Sequence, residues 1–278
     1  MKNIFHLCTV QELSIFKHKD SILEYEELSN GSKKMLCFNG YGKVTTDLYV
    51  FKDFFAKDIN AIAINLPYHG NSIWNIGTEG MKEIFLAFFK HLKWDEEEIH
   101  LFAYSIGSRY TYALTQLFPN KIKSVCLLAP DGIYPNTLSH YATFNSFGTK
   151  LMNLFINRAG FIIYILKSLK YFKVLSESDY AFFLRKIRTK EDREMLQKVW
   201  KEIYTTTPDF KNSLAKPMNK DIRWNIILGK SDKVFPYKKT MKLIPKSEKI
   251  TVHVWDSGHA MLKESIGYKL SLQEGITP

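Results

Sequence analysis

The spacing of apolar residues changes along the chain from period two to the helical period and back, and these changes divide it into elements. Residues 12 to 28 alternate apolar and polar positions around Lys17-His18-Lys19-Asp20, which predicts a hairpin of two exposed edge strands, Leu13 to Phe16 and Ile22 to Leu28. After the turn Asn30-Gly31-Ser32, Lys34 to Phe38 forms an apolar strand ending in Asn39-Gly40-Tyr41-Gly42. From Thr45 to Ala56 the spacing of Leu48, Phe51, Phe54 and Phe55 becomes helical. Ile59 to Leu66 is a β-branched buried strand, and Pro67-Tyr68-His69-Gly70-Asn71-Ser72 is dense in turn formers. A helix from about Thr78 to Leu92 turns Met81, Ile84, Phe85, Phe88 and Phe89 inward.

The same rhythm continues through Ile99 to Ala103, a helix from Ile106 to Phe118 stopped by Pro119-Asn120, and a strand from Ile122 to Ala129 closing on Pro130-Asp131-Gly132. From Ile133 to Pro217 it stops: the segment reads as several helices rich in Phe, Tyr, Leu and Lys. It resumes with a strand at Trp224 to Leu228, a loop over 229–236, a helix to about Ile244, a strand from Ile250 to Trp255 and a last helix beginning near Ala260. Strands alternating with helices of this length predict parallel βαβ crossovers and an α/β fold with a mostly parallel sheet covered on both faces. The expected organisation is a core in two parts, residues 1–132 and 218–278, with a helical cap, residues 133–217, inserted after the sixth strand.

Composition narrows this picture. A chain of 278 residues, 45% hydrophobic, can bury a sizeable core. Its formal net charge of +11 invites a nucleic-acid partner, but the lysines are spread along the chain, with no zinc finger, aromatic RNA-binding signature or long basic run. The expectation is no nucleic-acid partner and a solvated, lysine-rich surface. Residues 133 to 217 carry 14 Lys and Arg against 7 Asp and Glu, so an acidic partner or membrane surface is an alternative for the cap. Cys8, Cys37 and Cys126 are too few and too scattered for a disulfide framework or a metal site, and Cys37 and Cys126 lie in apolar runs. The start, Lys2 and Ile4-Phe5 interrupted by His6 and Gln11-Glu12, forms no secretory core. The apolar stretch Leu151 to Leu166 is broken by Asn153, Asn157 and Arg158 and is too short to span a bilayer. A cytoplasmic protein without cofactor or metal, and with no transmembrane segment, is expected.

The chemistry centres on Leu101-Phe102-Ala103-Tyr104-Ser105-Ile106-Gly107, where a strand gives way to a helix and a serine sits between small residues. A hydroxyl on such a turn projects from the sheet only if the residues two before and two after it let strand and helix approach. Gly107 meets that need, and Ala103 nearly so. Serine attack on an ester requires a base, a carboxylate to orient it and donors for the oxyanion. His259, behind Gly258 and just past the final strand, has the imidazole suited to moving a proton at neutral pH. Asp232 lies four residues past the preceding strand. Asp131 also ends a strand and is a rival acid, Asp256 reads as turn chemistry, and His69 reads as a solvated loop residue, with a place at the pocket mouth as the alternative.

Serine, acid and histidine in that order at successive strand ends resemble the α/β-hydrolase superfamily, in its capped, esterase- and lipase-like form. Phe38-Asn39-Gly40-Tyr41-Gly42 resembles its HGxG oxyanion loop, Asn65 to Ser72 its DxPGxGxS segment and Ala103 to Gly107 its GxSxG elbow. Leu228 to Pro236 is similar to its acid loop, and Ser257-Gly258-His259 to its terminal histidine loop; the likeness spans about residues 12 to 270. It implies Ser105 as nucleophile, His259 as base and acid, Asp232 as its partner, and the backbone N–H groups of Tyr41 and Ile106 as oxyanion hole. The sequence departs from the pattern at Ala103, at Asn39 in place of histidine, and at Asn65 and Tyr68-His69. The implied activity is hydrolysis of a small-molecule carboxylic ester or thioester through an acyl-enzyme, with an apolar pocket under the cap; an anionic substrate would suit the basic cap. Carbon–carbon bond hydrolysis, lyase or acyltransfer chemistry on the same residues, or a non-catalytic ligand-binding scaffold, are the alternatives, and the oligomeric state is left open.

Overall fold

Eight strands form one sheet in the order β1-β2-β4-β3-β5-β6-β7-β8: β1 (Ser14–His18), β2 (Ser21–Ser29), β3 (Lys33–Phe38), β4 (Ile59–Ile64), β5 (Ile99–Tyr104), β6 (Ile122–Leu128), β7 (Arg223–Gly229) and β8 (Ile250–Trp255). The β1/β2 and β2/β4 pairs are antiparallel, and every pairing from β4 to β8 is parallel. The computed structural model describes residues 13–74, 77–135, 146–171, 180, 184, 187–208, 210–215 and 221–276. Cys8, the amino-terminal run, and the expected boundary at Pro217 lie outside the described residues.

The apolar runs are continuous because both faces of the sheet are covered. Along β5, Leu101 and Ala103 join one core while Phe102 and Tyr104 join the other. The first core is closed by α2 (Gly77–His91), whose Met81, Ile84, Phe85, Phe88 and Phe89 are all buried, and by α3 (Ser108–Leu117). The second is closed by a 3₁₀ turn (Thr45–Phe51), α1 (Lys52–Phe55) and α9 (Glu264–Leu272). There Phe51, Phe54 and Phe55 surround Phe102 at ring-centroid distances of 5.3, 5.7 and 5.6 Å.

Between β6 and β7 the described residues hold four helices and no strand: α4 (Ser146–Asn157), α5 (Ala159–Tyr171), α6 (Lys190–Thr206) and α7 (Phe210–Ala215). Thr189 caps α6 reciprocally with Asp192, donating and accepting across the first turn. α7 is tied to the core where Phe210 N–H donates to Gly132 O at 3.1 Å and Gln116 Nε2 donates to Asn212 O at 2.7 Å. No helix among the described residues is long and apolar enough to cross a membrane.

Four elements differ from the sequence reading. β2 is an interior strand, with β4 on its far side, and Leu23, Glu24 and Glu26 are buried; alternation has the same period whether the polar face meets solvent or a buried polar network. The first helix is mostly 3₁₀, opened by the Asp47 carboxylate accepting from Val44 N–H at 2.9 Å. The last helix begins at Glu264, because Lys263, its N-cap, is still extended (φ −149°, ψ 144°). The helix before β8, α8, is short (Tyr237–Met241).

Candidate active site

Ser105 stands at the carboxyl end of β5 with φ +54°, a left-handed conformation that costs a non-glycine residue on the order of 1–3 kcal/mol. Two neighbours hold it there. Asp131 N–H donates to Ser105 O at 3.1 Å. Gly107 lies so close to the end of β3 that an added Cβ would fall 2.6 Å from Asn39 O and 2.7 Å from Phe38 O. The small residue demanded two positions after the serine is therefore a demand of backbone contact. Ala103 is fully buried in β5, and its methyl is accommodated in the core.

The Ser105 hydroxyl donates to His259 Nε2 at 3.0 Å, and His259 Nδ1–H donates to Asp232 Oδ2 at 2.9 Å. The other carboxylate oxygen, Asp232 Oδ1, accepts from Val234 N–H at 2.8 Å and Phe235 N–H at 2.9 Å. The Asp232 side chain is 1% exposed and the imidazole 22%. Hydrogen bonds to the charged carboxylate from two backbone donors compensate this burial.

The loops after β7 and β8 meet because Gly229 has no side chain: a Cβ there would lie 2.6 Å from Ser257 O. Lys230 N–H donates to Trp255 O at 2.8 Å and Ser231 N–H to Ser257 O at 3.0 Å, tying the two loops together. Tyr104, beside the serine, donates its hydroxyl to His259 O at 3.0 Å, and burial pushes its pKa up to about 12, so it stays a donor. The Phe235 ring stands edge-on to the imidazole at 5.3 Å.

Asp131, the rival acid, is engaged elsewhere. Its carboxylate receives Nε and Nη2 of Arg109 at 3.4 and 3.3 Å, and both side chains are buried. Arg109 in turn lies against the Tyr204 ring, 4.8 Å from its centroid. Asp256 is exposed.

The loop of Tyr41 crosses the serine. A side chain at Gly40 would lie 3.4 Å from Ser105 Cβ. Asn39, where the resemblance leads one to expect histidine, pins this loop through its amide: Nδ2 donates to Val44 O at 2.6 Å and Oδ1 accepts from Gly40 N–H at 2.9 Å. Ile106 is the middle residue of the 3₁₀ turn Ser105–Gly107, which continues into α3.

His69 corrects the sequence reading. It is 2% exposed, and Nε2 accepts from Gly42 N–H at 2.8 Å while Nδ1–H donates to Pro67 O at 3.0 Å. A second group missed by sequence is buried Glu24. Its carboxylate receives Asn65 Nδ2 at 2.5 Å, Asn71 Nδ2 at 2.6 Å and Asn71 N–H at 3.0 Å. Asn65 Oδ1 passes the network on by accepting from Thr45 N–H at 2.9 Å. The only trace of this in the sequence is an acid inside an apolar alternation. Tyr104 and Arg109 carry no sequence signal of their roles.

A sheet of this order, with a strained serine at the end of β5, an acid after β7 and a histidine after β8, defines the α/β-hydrolase class of fold. Solved structures agree. Over 95% of this chain and 96% of its own, an α/β hydrolase from a Medee basin deep-sea metagenome library matches at TM-score 0.64 and 17% identity. A thermophilic esterase from Thermogutta terrifontis matches over 90% of each chain at TM-score 0.61 and 15% identity. An esterase from Exiguobacterium antarcticum matches over 93% of this chain and 97% of its own at TM-score 0.62 and 12% identity. No protein-family description and no curated protein matches the sequence. The chain has the α/β-hydrolase fold.

Proposed function

We propose that the protein is a serine hydrolase that cleaves a carboxylic ester or thioester through an acyl-enzyme. The observation that carries this reading is the unbroken hydrogen-bonded line from Ser105 through His259 to Asp232, 3.0 and 2.9 Å long, at the carboxyl edge of the sheet. His259 takes the hydroxyl proton as Ser105 Oγ attacks the carbonyl, and returns it to the leaving alcohol or thiol. Asp232, fixed by two backbone donors, holds the imidazole with Nε2 facing the serine and stabilises the imidazolium. The backbone N–H groups of Tyr41 and Ile106 receive the oxyanion. Water then enters, is deprotonated by the same imidazole, and releases the acid.

Residues 133–217 form the cap over this edge in our reading. Its support is the packing of Arg109 against the Tyr204 ring, together with the Tyr41 hydroxyl, which donates to Asp192 O at 3.4 Å. The basic surplus of that segment favours anionic members of the substrate class. Buried, unbridged Cys37 and Cys126, whose thiols burial pushes above the ordinary range, fit a reducing cytoplasm.

A fluorophosphonate probe tests the reading. Expected is a single covalent adduct on Ser105, absent in a folded Ser105→Ala variant, and turnover of nitrophenyl esters lost with it. Folded wild-type protein that takes no label would favour a ligand-binding scaffold instead.

A further inference from the structure

We propose that His69 is a positioning residue for the oxyanion loop: its neutral imidazole fastens the main chain at Gly42 so that the Tyr41 N–H keeps its aim at the oxygen that becomes charged on attack. The inference rests on the serine-hydrolase reading above, and deepens it.

The imidazole sits on a rigid turn. His69 N–H donates to Leu66 O at 2.9 Å, Ser72 N–H to His69 O at 3.1 Å and Tyr68 N–H to Ser72 O at 3.0 Å. Tyr68 and Gly70 on either side have φ +66° and +53°. Beneath the turn, the Glu24 carboxylate holds Asn65 and Asn71, as described above. With its backbone fixed at both ends, the ring has little freedom to leave its place.

Its two nitrogens have opposite duties. Nδ1 faces Pro67 O at 3.0 Å, and a carbonyl oxygen only accepts, so the ring proton is on Nδ1. Nε2 then presents a lone pair, to which Gly42 N–H donates at 2.8 Å. Gly42 has φ +64° at the third position of a turn that Lys43 N–H closes on Gly40 O at 3.2 Å, and His69 adds a second hold on that turn. The Tyr41 ring stands edge-on to the imidazole at 5.8 Å and 89°.

Tyr41 therefore lies between two anchored neighbours. Asn39 Oδ1 holds Gly40 N–H on one side and His69 Nε2 holds Gly42 N–H on the other. Oxyanion stabilisation depends on donors that are already oriented before charge develops, so freeing one anchor loosens the donor between them. The chain departs from the resembled pattern at Asn39, and His69, at an unspecified position of the third motif, secures the other side of the same loop.

The test compares wild type with His69→Leu, which fills the space but offers no acceptor, and His69→Gln, which keeps one. The readouts are the second-order rate of fluorophosphonate labelling, kcat and KM on a soluble nitrophenyl ester, and thermal unfolding. Expected for His69→Leu is a labelling rate and kcat lowered about 10- to 100-fold with KM within about threefold, and for His69→Gln a rate within about threefold of wild type. A labelling rate for folded His69→Leu within twofold of wild type overturns the inference and leaves the serine-hydrolase reading standing. Equal losses in Leu and Gln variants overturn it as well, since the acceptor would then be irrelevant. If His69→Leu does not fold, a 10-fold loss in folded His69→Gln likewise overturns it. Wild type that takes no label overturns both.

Discussion

Asp232 and Asp131 each end a parallel strand near the serine, and their surroundings assign them different work. Asp232 gives one oxygen to two backbone donors and the other to His259, whereas Asp131 neutralises buried Arg109. Asp232→Asn is expected to lower kcat by about 10³- to 10⁴-fold, because the amide no longer fixes the imidazole tautomer. Asp131→Asn should leave kcat nearly unchanged but cost about 3 kcal/mol of stability, since it strands a buried guanidinium. Steady-state kinetics beside urea unfolding of the two variants separates the roles, and a reversed pattern would exchange them. At this scale the sequence displayed Ser105, Asp232 and His259 through chain order and strand ends. It hid His69, Glu24 and Tyr104, whose roles depend on neighbours 27, 41 and 155 residues away. No local spacing encodes such partners.

The elements were legible where their apolar period was regular. All eight strands lie within a few residues of their expected places, and α2 buries the five residues its spacing selected. Edge and interior strands were not separable: β2 carries the alternation of an edge, yet its polar positions Glu24 and Glu26 point into buried networks. The junction of β5 and α3 offers the sharpest test of packing. Gly107→Ala places a methyl against two backbone carbonyls of the β3 end, atoms that have no rotamer by which to yield. We expect a loss of about 2 kcal/mol, read as a shifted urea midpoint with unchanged slope. Unaltered stability would mean that the elbow and β3 do not meet so closely.

For the whole molecule, acid is the informative perturbation. His100 is buried on β5 with Nδ1 at 2.8 Å from Ser124 Oγ. Burial first, then the charges of Arg223 and Lys33, push its pKa down to about 4. An unfolded chain binds this proton near pH 6.5 and the folded one only near pH 4. Its contribution is therefore intact above about pH 6.5 and is lost as pH falls from there towards 4. With solvent screening allowed for, the loss is about 2 kcal/mol. Urea midpoints at pH 7.5 and 4.5 should converge in His100→Gln relative to wild type; equal acid sensitivity in both would rule out this residue as the source.

The separation of the site's parts along the chain carries one more consequence. The imidazole is made 154 residues after the serine it contacts, and the carboxylate comes only 27 residues before that imidazole. During synthesis the elbow and its sheet neighbours β3 and β6 leave the ribosome before the residues of the proposed acid and base are made. In the proposed mechanism reactivity arrives only when β7 and β8 dock and bring acid and base to the serine, so a partly made chain would be chemically inert.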